Sequence, residues 1–273
     1  MKSVEEQNIG RKIKQPVPHD SGNEFNNHGN ISNSKNENSM SSPTIFRDRE
    51  HAARLLANRL KTYLMKKHIP ISKQRILVLA IPRGGVVTGD VIASRLGVNL
   101  DIVVSRKIGS PWNSELAIGA VIQDGTFYPN EILIDMLNIP QQYIDEQKGL
   151  QIIEIERRLR RFRGSKEYLN YDNMRDKTII LADDGIATGA TVFAAIKWII
   201  KQKTKQIILA VPVGPKDTIA KLRKEEGVND VIVLSTPPEF RAVGQFYSEF
   251  SQIDDDIVTQ IMQKYDKEAR NKR

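Results

Sequence analysis

The chain has 273 residues, 40% hydrophobic and 27% charged, with a formal net charge of +8, an ordinary balance for a globular protein. It has no cysteine, which excludes disulfides, thiolate nucleophiles and thiolate zinc sites. Its four histidines, His19, His28, His51 and His68, all lie in the first quarter, so residues 69–273 supply none for a Ser-His-Asp triad or a multi-histidine metal site.

Residues 1–43 contain eight Asn and seven Ser and few large apolar side chains. Such a segment cannot bury enough surface to offset its ordering entropy, and a disordered tail is expected. The segment MKSVEEQNIGRKIK lacks the apolar stretch of a signal peptide. No apolar run approaches the ~18 residues of a spanning helix. The expectation is a cytoplasmic protein with no membrane contact.

Order is expected from Thr44, in one domain over 44–262. Asp48 is a plausible N-cap for a helix whose apolar stripe is Ala52, Ala53, Leu56, Leu60, Tyr63 and Leu64, ending before Ile69-Pro70. Short Ile/Val/Leu-rich runs follow at 76–81, 100–105, 117–123, 178–183, 206–211 and 230–235. Helical patterns lie between them, near 86–95, 140–163, 190–203 and 216–226. Runs without alternation suit strands buried on both faces. The fold class expected is α/β, a mostly parallel sheet flanked by helices, with ligands beyond the carboxyl ends of the strands.

Three post-strand segments carry chemistry. After ILVLAI comes Pro82-Arg83-Gly84-Gly85, a charge-assisted donor beside two glycines that permit close phosphate approach. A simple glycine turn is the plain alternative. After LDIVVS come Arg106 and Lys107, opening a Gly/Ser/Pro/Asn loop that runs to Glu115. A surface basic pair is the plain alternative there. After TIILA come Asp183 and Asp184, then Gly185-Ile186-Ala187-Thr188-Gly189-Ala190-Thr191 and an apolar helix. Small residues at a helix N-terminus leave amides free for a phosphate, with Thr188 and Thr191 adding hydroxyls. Two acids beside a phosphate site make sense if they hold sugar hydroxyls or a hydrated cation. No Lys follows the last glycine, so this is not a Walker A loop.

The segment from Ile179 to Thr191 resembles the motif of the type I phosphoribosyltransferases that binds 5-phosphoribosyl pyrophosphate (PRPP). That motif has four apolar residues, two acids and a small-residue loop closed by Thr. The likeness extends over about 44–262. It is strongest to phosphoribosyltransferase-domain proteins with an RKIG…ELAIGAV stretch and a DDGIATGAT loop, a group with no acceptor to carry over. The resemblance implies a Mg²⁺-dependent transferase moving the phosphoribosyl group from PRPP to a small-molecule acceptor. The 5′-phosphate would sit on the amides of Gly185–Thr191, and Asp183 and Asp184 would hold ribose hydroxyls, directly or through Mg²⁺. Arg83, Gly84, Gly85 and Lys107 or Arg106 would take the pyrophosphate, in a family whose first loop often contains a non-proline cis peptide. Lys107, Arg83 and Asp184 are the residues assigned to catalysis.

A small hood built from terminal segments, including about 240–262, would cover the site. Its Phe246 and Tyr247 could stack on an acceptor ring or form hood core. The resemblance leaves room for a homodimer. Hypoxanthine-guanine enzymes of this fold place an Asp where Ala187 stands, which disfavours a 6-oxopurine acceptor handled that way. No general base is evident; Glu115 is a candidate by location alone.

The helix of 144–163 carries Arg157, Arg158, Arg160, Arg161 and Arg163. Residues 154–166 hold six basic and two acidic groups, and 264–273 five and two. A solvated basic face and a frayed basic end at 263–273 are the default readings, and nucleic acid is not an expected partner. The alternative function is a non-catalytic regulator that senses PRPP or nucleotides and binds nucleic acid through these arginines. A hydrolase releasing pyrophosphate to water is a third reading.

Overall fold

The computed structural model describes residues 45–164 and 174–270. The tail expected at 1–43 and the last three residues of the basic end lie outside these. Helix α1 (Arg49–Lys66) starts where Asp48 caps it, its carboxylate accepting the His51 amide at 2.7 Å. Of its stripe, Ala52, Ala53, Leu56, Leu60 and Leu64 are fully buried and Tyr63 is half-buried.

A five-stranded sheet then forms from β1 (Ile76–Ala80), β2 (Asn99–Ile102), β6 (Thr178–Ala182), β7 (Gln206–Val213) and β8 (Val228–Ser235). The spatial order is β2-β1-β6-β7-β8, every neighbouring pair parallel. The non-alternating sequences have their reason here. Val78 and Ala80 face a cluster with Leu56, Leu60, Ile92 and Val258. Leu77 and Leu79 face another with Ile196, Trp198, Ile199 and Leu222. Helices α2 (Gly84–Leu96) and α1 cover the first face, and α5 (Ala190–Lys201) and α6 (Lys216–Lys224) the second. Each large aliphatic side chain so buried contributes roughly 1.5–3 kcal/mol.

Two expectations need correction. The run 100–105 is not one strand. It divides into β2 and a separate β3 (Ser105–Gly109), which pairs antiparallel with β4 (Ala117–Ile122). With β5 (Phe127–Pro129) these form a second, three-stranded sheet, so 117–123 is outside the parallel sheet. The apolar runs look alike because both sheets are buried. Ile108, Ile118 and Val121 join the first core cluster, and Ala120 and Ile122 the second. Helices α3 (Glu131–Met136) and α4 (Gln141–Arg163) follow this small sheet.

The start of the described chain meets the segment around Phe246–Ser248 in a small hood. The amides of Ile45 and Phe46 both donate to the Phe246 carbonyl, at 3.0 and 2.9 Å, and Ser248 returns a bond to Phe46. Phe46, Ala52, Val213, Phe246 and Tyr247 form its core. Beyond it α7 (Asp255–Arg270) packs Val258, Ile261 and Met262 into the first cluster.

Candidate functional site

Strand order reverses between β1 and β6: the chain runs outward to β2 on one side and to β7 and β8 on the other. The crevice beyond such a switch point is where open α/β sheets bind ligands. Ala80 stands level with Ala182, and the Ile81 amide donates to the Ala182 carbonyl at 3.1 Å. The two chemistry-bearing loops therefore leave the sheet side by side.

Their contact is close. A Cβ on Gly84 would run into the Asp184 carboxylate, and one on Gly85 would lie 2.8 Å from Asp183 Oδ1 and 2.9 Å from Asp183 Cα. Glycine is required at both places by space rather than by dihedral. The Pro82–Arg83 peptide is cis, as the resemblance implied. On the far side, Gly189 adopts φ 83° at the N-cap of α5, a conformation that favours glycine. The described residues supply no acceptor for the amides of Thr188, Gly189, Ala190 and Thr191. These are the orphan donors of a helix start, suited to an anion. Ala187 and Thr188 are exposed at the rim, while Gly185 and Ile186 are buried, the latter's amide bonded to Val213.

The acids differ in surroundings. Asp184 Oδ2 accepts from Arg49 Nε at 2.6 Å, with the two side chains only 15% and 10% exposed. Arg49 is held by a bond from Nη1 to the Ser251 carbonyl (2.7 Å) and by the Phe250 ring, 3.7 Å from its guanidinium carbon. Asp183 Oδ1 accepts the Asp184 amide at 2.8 Å. Burial, then the neighbouring Asp184 charge, pushes the Asp183 carboxyl well above the usual range; the Asp184 amide and Arg49 oppose this. One acid is thus fixed as an ion pair, and the other is poised at the crevice.

Arg83, Gly84, Gly85, Asp183, Asp184 and the Gly185–Thr191 loop are brought together. Lys107 is not joined to them. It lies in strand β3 rather than a loop, in an exposed ion pair with Glu115 at 2.7 Å, and no hydrogen bond or ion pair links it to Arg83 or either acid. Alternation turns Arg106 to the opposite face of the strand, where its Nε donates to Gln151 at 2.9 Å. Phe246 and Tyr247 present no free ring face. Phe246 is fully buried against Phe240 (4.9 Å), and Tyr247 packs between Phe46 (5.3 Å) and Phe250 (4.9 Å). Tyr247 instead donates its hydroxyl to the Asp184 carbonyl, bracing the acid pair from beneath.

The phosphoribosyl transferase domain profile matches residues 49–245. The chain belongs to the phosphoribosyltransferase family. Two Mycobacterium tuberculosis proteins, from strains CDC 1551 / Oshkosh and ATCC 25618 / H37Rv and named provisionally as phosphoribosyl transferases, are each 35% identical over 220 residues. That alignment takes in 81% of this chain but 47% of each relative, so the chain spans about half their length. The crystal structure of a Thermus thermophilus protein, TT1426, superposes with a TM-score of 0.66 at 32% identity, covering 81% of this chain and 99% of that one.

Within the phosphoribosyltransferase frame, a metal ion has a limited donor set. Among the described residues no group of three or more His, Asp or Glu side chains is placed to hold one. Asp184 is already committed to Arg49. This does not suit an all-protein cage, but it suits Mg²⁺, which is usually held by one or two carboxylates together with substrate oxygens and waters.

Three residues escaped sequence reasoning: Arg49, the bracing hydroxyl of Tyr247, and Asp255, described below. Arg49 had a visible signal. It lies three and four residues before Ala52 and Ala53, on the buried stripe of α1, where a lone arginine calls for a partner.

Proposed function

We propose that this protein transfers the 5-phosphoribosyl group of PRPP to an acceptor and releases pyrophosphate. The observation that carries the proposal is the apposition of the Arg83-Gly84-Gly85 turn with the Asp183-Asp184 pair at the head of the open-amide loop. The 5′-phosphate is held by the amides of Thr188–Thr191 and their hydroxyls, where the α5 dipole favours negative charge. Asp183 takes the ribose hydroxyls. Asp184, fixed by Arg49 and Tyr247, keeps Asp183 in place. The Arg49 charge offsets one of the two acids, which lets an acidic pair coexist with a polyanionic donor.

The bond that breaks joins the anomeric carbon to the pyrophosphate oxygen, whose electron pair leaves with the pyrophosphate. The bond that forms joins that carbon to the acceptor. The sugar passes through an oxocarbenium-like state, so positioning, charge neutralisation and water exclusion matter more than a protein nucleophile. Arg83 meets the departing charge. Asp183, with Asp184 through Oδ1, the oxygen not bonded to Arg49 Nε, would hold Mg²⁺, whose chemistry there is to neutralise charge on the pyrophosphate.

The α4 arginines favour this reading over a nucleic-acid-binding regulator. Arg158 pairs with Glu154, Arg160 with Glu156 and Arg163 with Asp101. No helix among the described residues is long and apolar enough to cross a membrane, in keeping with a small-molecule enzyme. The test is incubation with PRPP, Mg²⁺ and a panel of bases and amines, following pyrophosphate. Release that depends on one acceptor supports transfer; release with water alone supports a hydrolase; no release with any acceptor contradicts both.

A further inference from the structure

Three guanidinium groups from two parts of the fold converge on one carboxylate at the first position of α7. Arg83 Nη1 lies 3.5 Å from Asp255 Oδ1, and Arg157 Nη2 and Arg161 Nη1 each lie 3.6 Å from Asp255 Oδ2. The Asp255 side chain is only 13% exposed, and its Oδ1 is buried with no hydrogen-bond partner. Guanidinium–carboxylate pairs that are fully made close to ~2.7–2.9 Å, and a buried carboxylate oxygen left unpaired is costly. One carboxylate here spans three cations and satisfies none of them at close range.

The partners of the three cations are unequal. Arg157 is also held by Glu154 at 2.7 Å and Arg161 by Asp256 at 2.8 Å. Arg83 has no acidic partner but Asp255 among the described residues. Yet Arg83 belongs to the turn that packs on Asp183 and Asp184. Its side chain is turned from that pair towards α7. Burial, and then the neighbouring charges of Arg158, Arg157 and Arg83, push the Arg106 guanidinium below its usual range, with Glu154 opposing.

We propose that Asp255 is an internal stand-in for pyrophosphate, and that the arginines it holds, Arg83 from the first loop and Arg157 and Arg161 from α4, form the binding cluster for that anion. The inference rests on the function proposed above and adds to it a competitor for Arg83 and a contribution from α4. Pyrophosphate offers several oxygens to the three guanidiniums, where Asp255 offers two. When the anion arrives, Arg83 exchanges Asp255 for it; when the anion departs, Asp255 takes Arg83 back and favours release. Asp255 is a positioning residue in this scheme, acting through Arg83.

Calorimetric titration with inorganic pyrophosphate tests it. Asp255→Asn removes the competitor, so its affinity is expected to rise at least fivefold over wild type, and adding Arg83→Gln is expected to cancel that gain. A merely structural Asp255 would lose affinity along with fold, never gain it. Unchanged or weaker binding by a folded Asp255→Asn variant overturns the proposal. Should that variant fail to fold, Arg157→Gln and Arg161→Gln decide: weakened pyrophosphate binding by both supports the cluster, and wild-type affinity in both overturns it. The same cell titrated with PRPP separates the two claims. Wild type that does not bind PRPP, alongside a tighter Asp255→Asn variant, removes the proposed function and leaves the anion cluster. Wild type that binds PRPP, alongside an unaltered Asp255→Asn variant, removes the cluster alone.

Discussion

Asp183 and Asp184 are adjacent in sequence and opposite in circumstance, and their substitutions separate accordingly. Asp183→Asn and Asp184→Asn are each expected to weaken PRPP binding in Mg²⁺ by tenfold or more, since a charge-assisted hydrogen bond contributes ~1.5–3 kcal/mol and ~1.4 kcal/mol is a factor of ten; unchanged calorimetric affinity would refute their role. Arg49→Met strands the Asp184 carboxylate in a site where both partners are nearly buried. Breaking such a pair costs roughly 3–5 kcal/mol, to be read as a lowered midpoint in urea unfolding; a midpoint shift within error would show the pair to be dispensable. The raised Asp183 carboxyl also sets a pH dependence. Its folded form holds the proton after the unfolded form has lost it. That contribution to stability is therefore complete below the usual carboxylate range and is lost as pH rises towards the raised value. Wild type should lose stability relative to Asp183→Asn as the pH rises above the usual aspartate range; a constant difference would contradict the assignment.

At the scale of elements, the site is an apposition of two loops. Gly84→Ala should reduce both stability and PRPP affinity, because its Cβ meets the Asp184 carboxylate. An alanine variant that binds normally would mean that the loops can part freely. The loops themselves were readable in the sequence. Each follows an apolar run that ends in residues of unusual chemistry, and the parallel register of β1 and β6 then sets them side by side. The assignment of Arg106–Glu115 to a loop failed for a physical reason: Ile108 is buried under the small sheet, so RKIG is strand, and only the turn from Ser110 to Leu116 is left, closed by the Ser110 amide on the Leu116 carbonyl. Strand alternation then separates Lys107 from Arg106. Pairings across long separations, such as Arg49 with Asp184 and Arg83 with Asp255, leave no periodic trace, since each depends on the packing of α1 and α7 rather than on local pattern.

Across the whole molecule, the hood ties the first described residues to the acid pair. Ile45 and Phe46 bond to Phe246, Arg49 bonds to Asp184 and Ser251, and Tyr247 bonds beneath Asp184. Deletion of residues 1–43 retains all of these contacts and should leave the melting temperature within a few degrees of wild type, whereas deletion through residue 49 should lower it sharply; equal effects would place the boundary elsewhere. The central claim is that the open amides before α5 cradle the phosphate of a phosphoribosyl donor. A crystal soaked with ribose 5-phosphate tests it most directly. The account predicts the phosphate seated on the amides of Thr188 to Thr191 with the ribose hydroxyls turned to Asp183. An unoccupied loop, or a phosphate bound elsewhere with those amides pointing away, would contradict it.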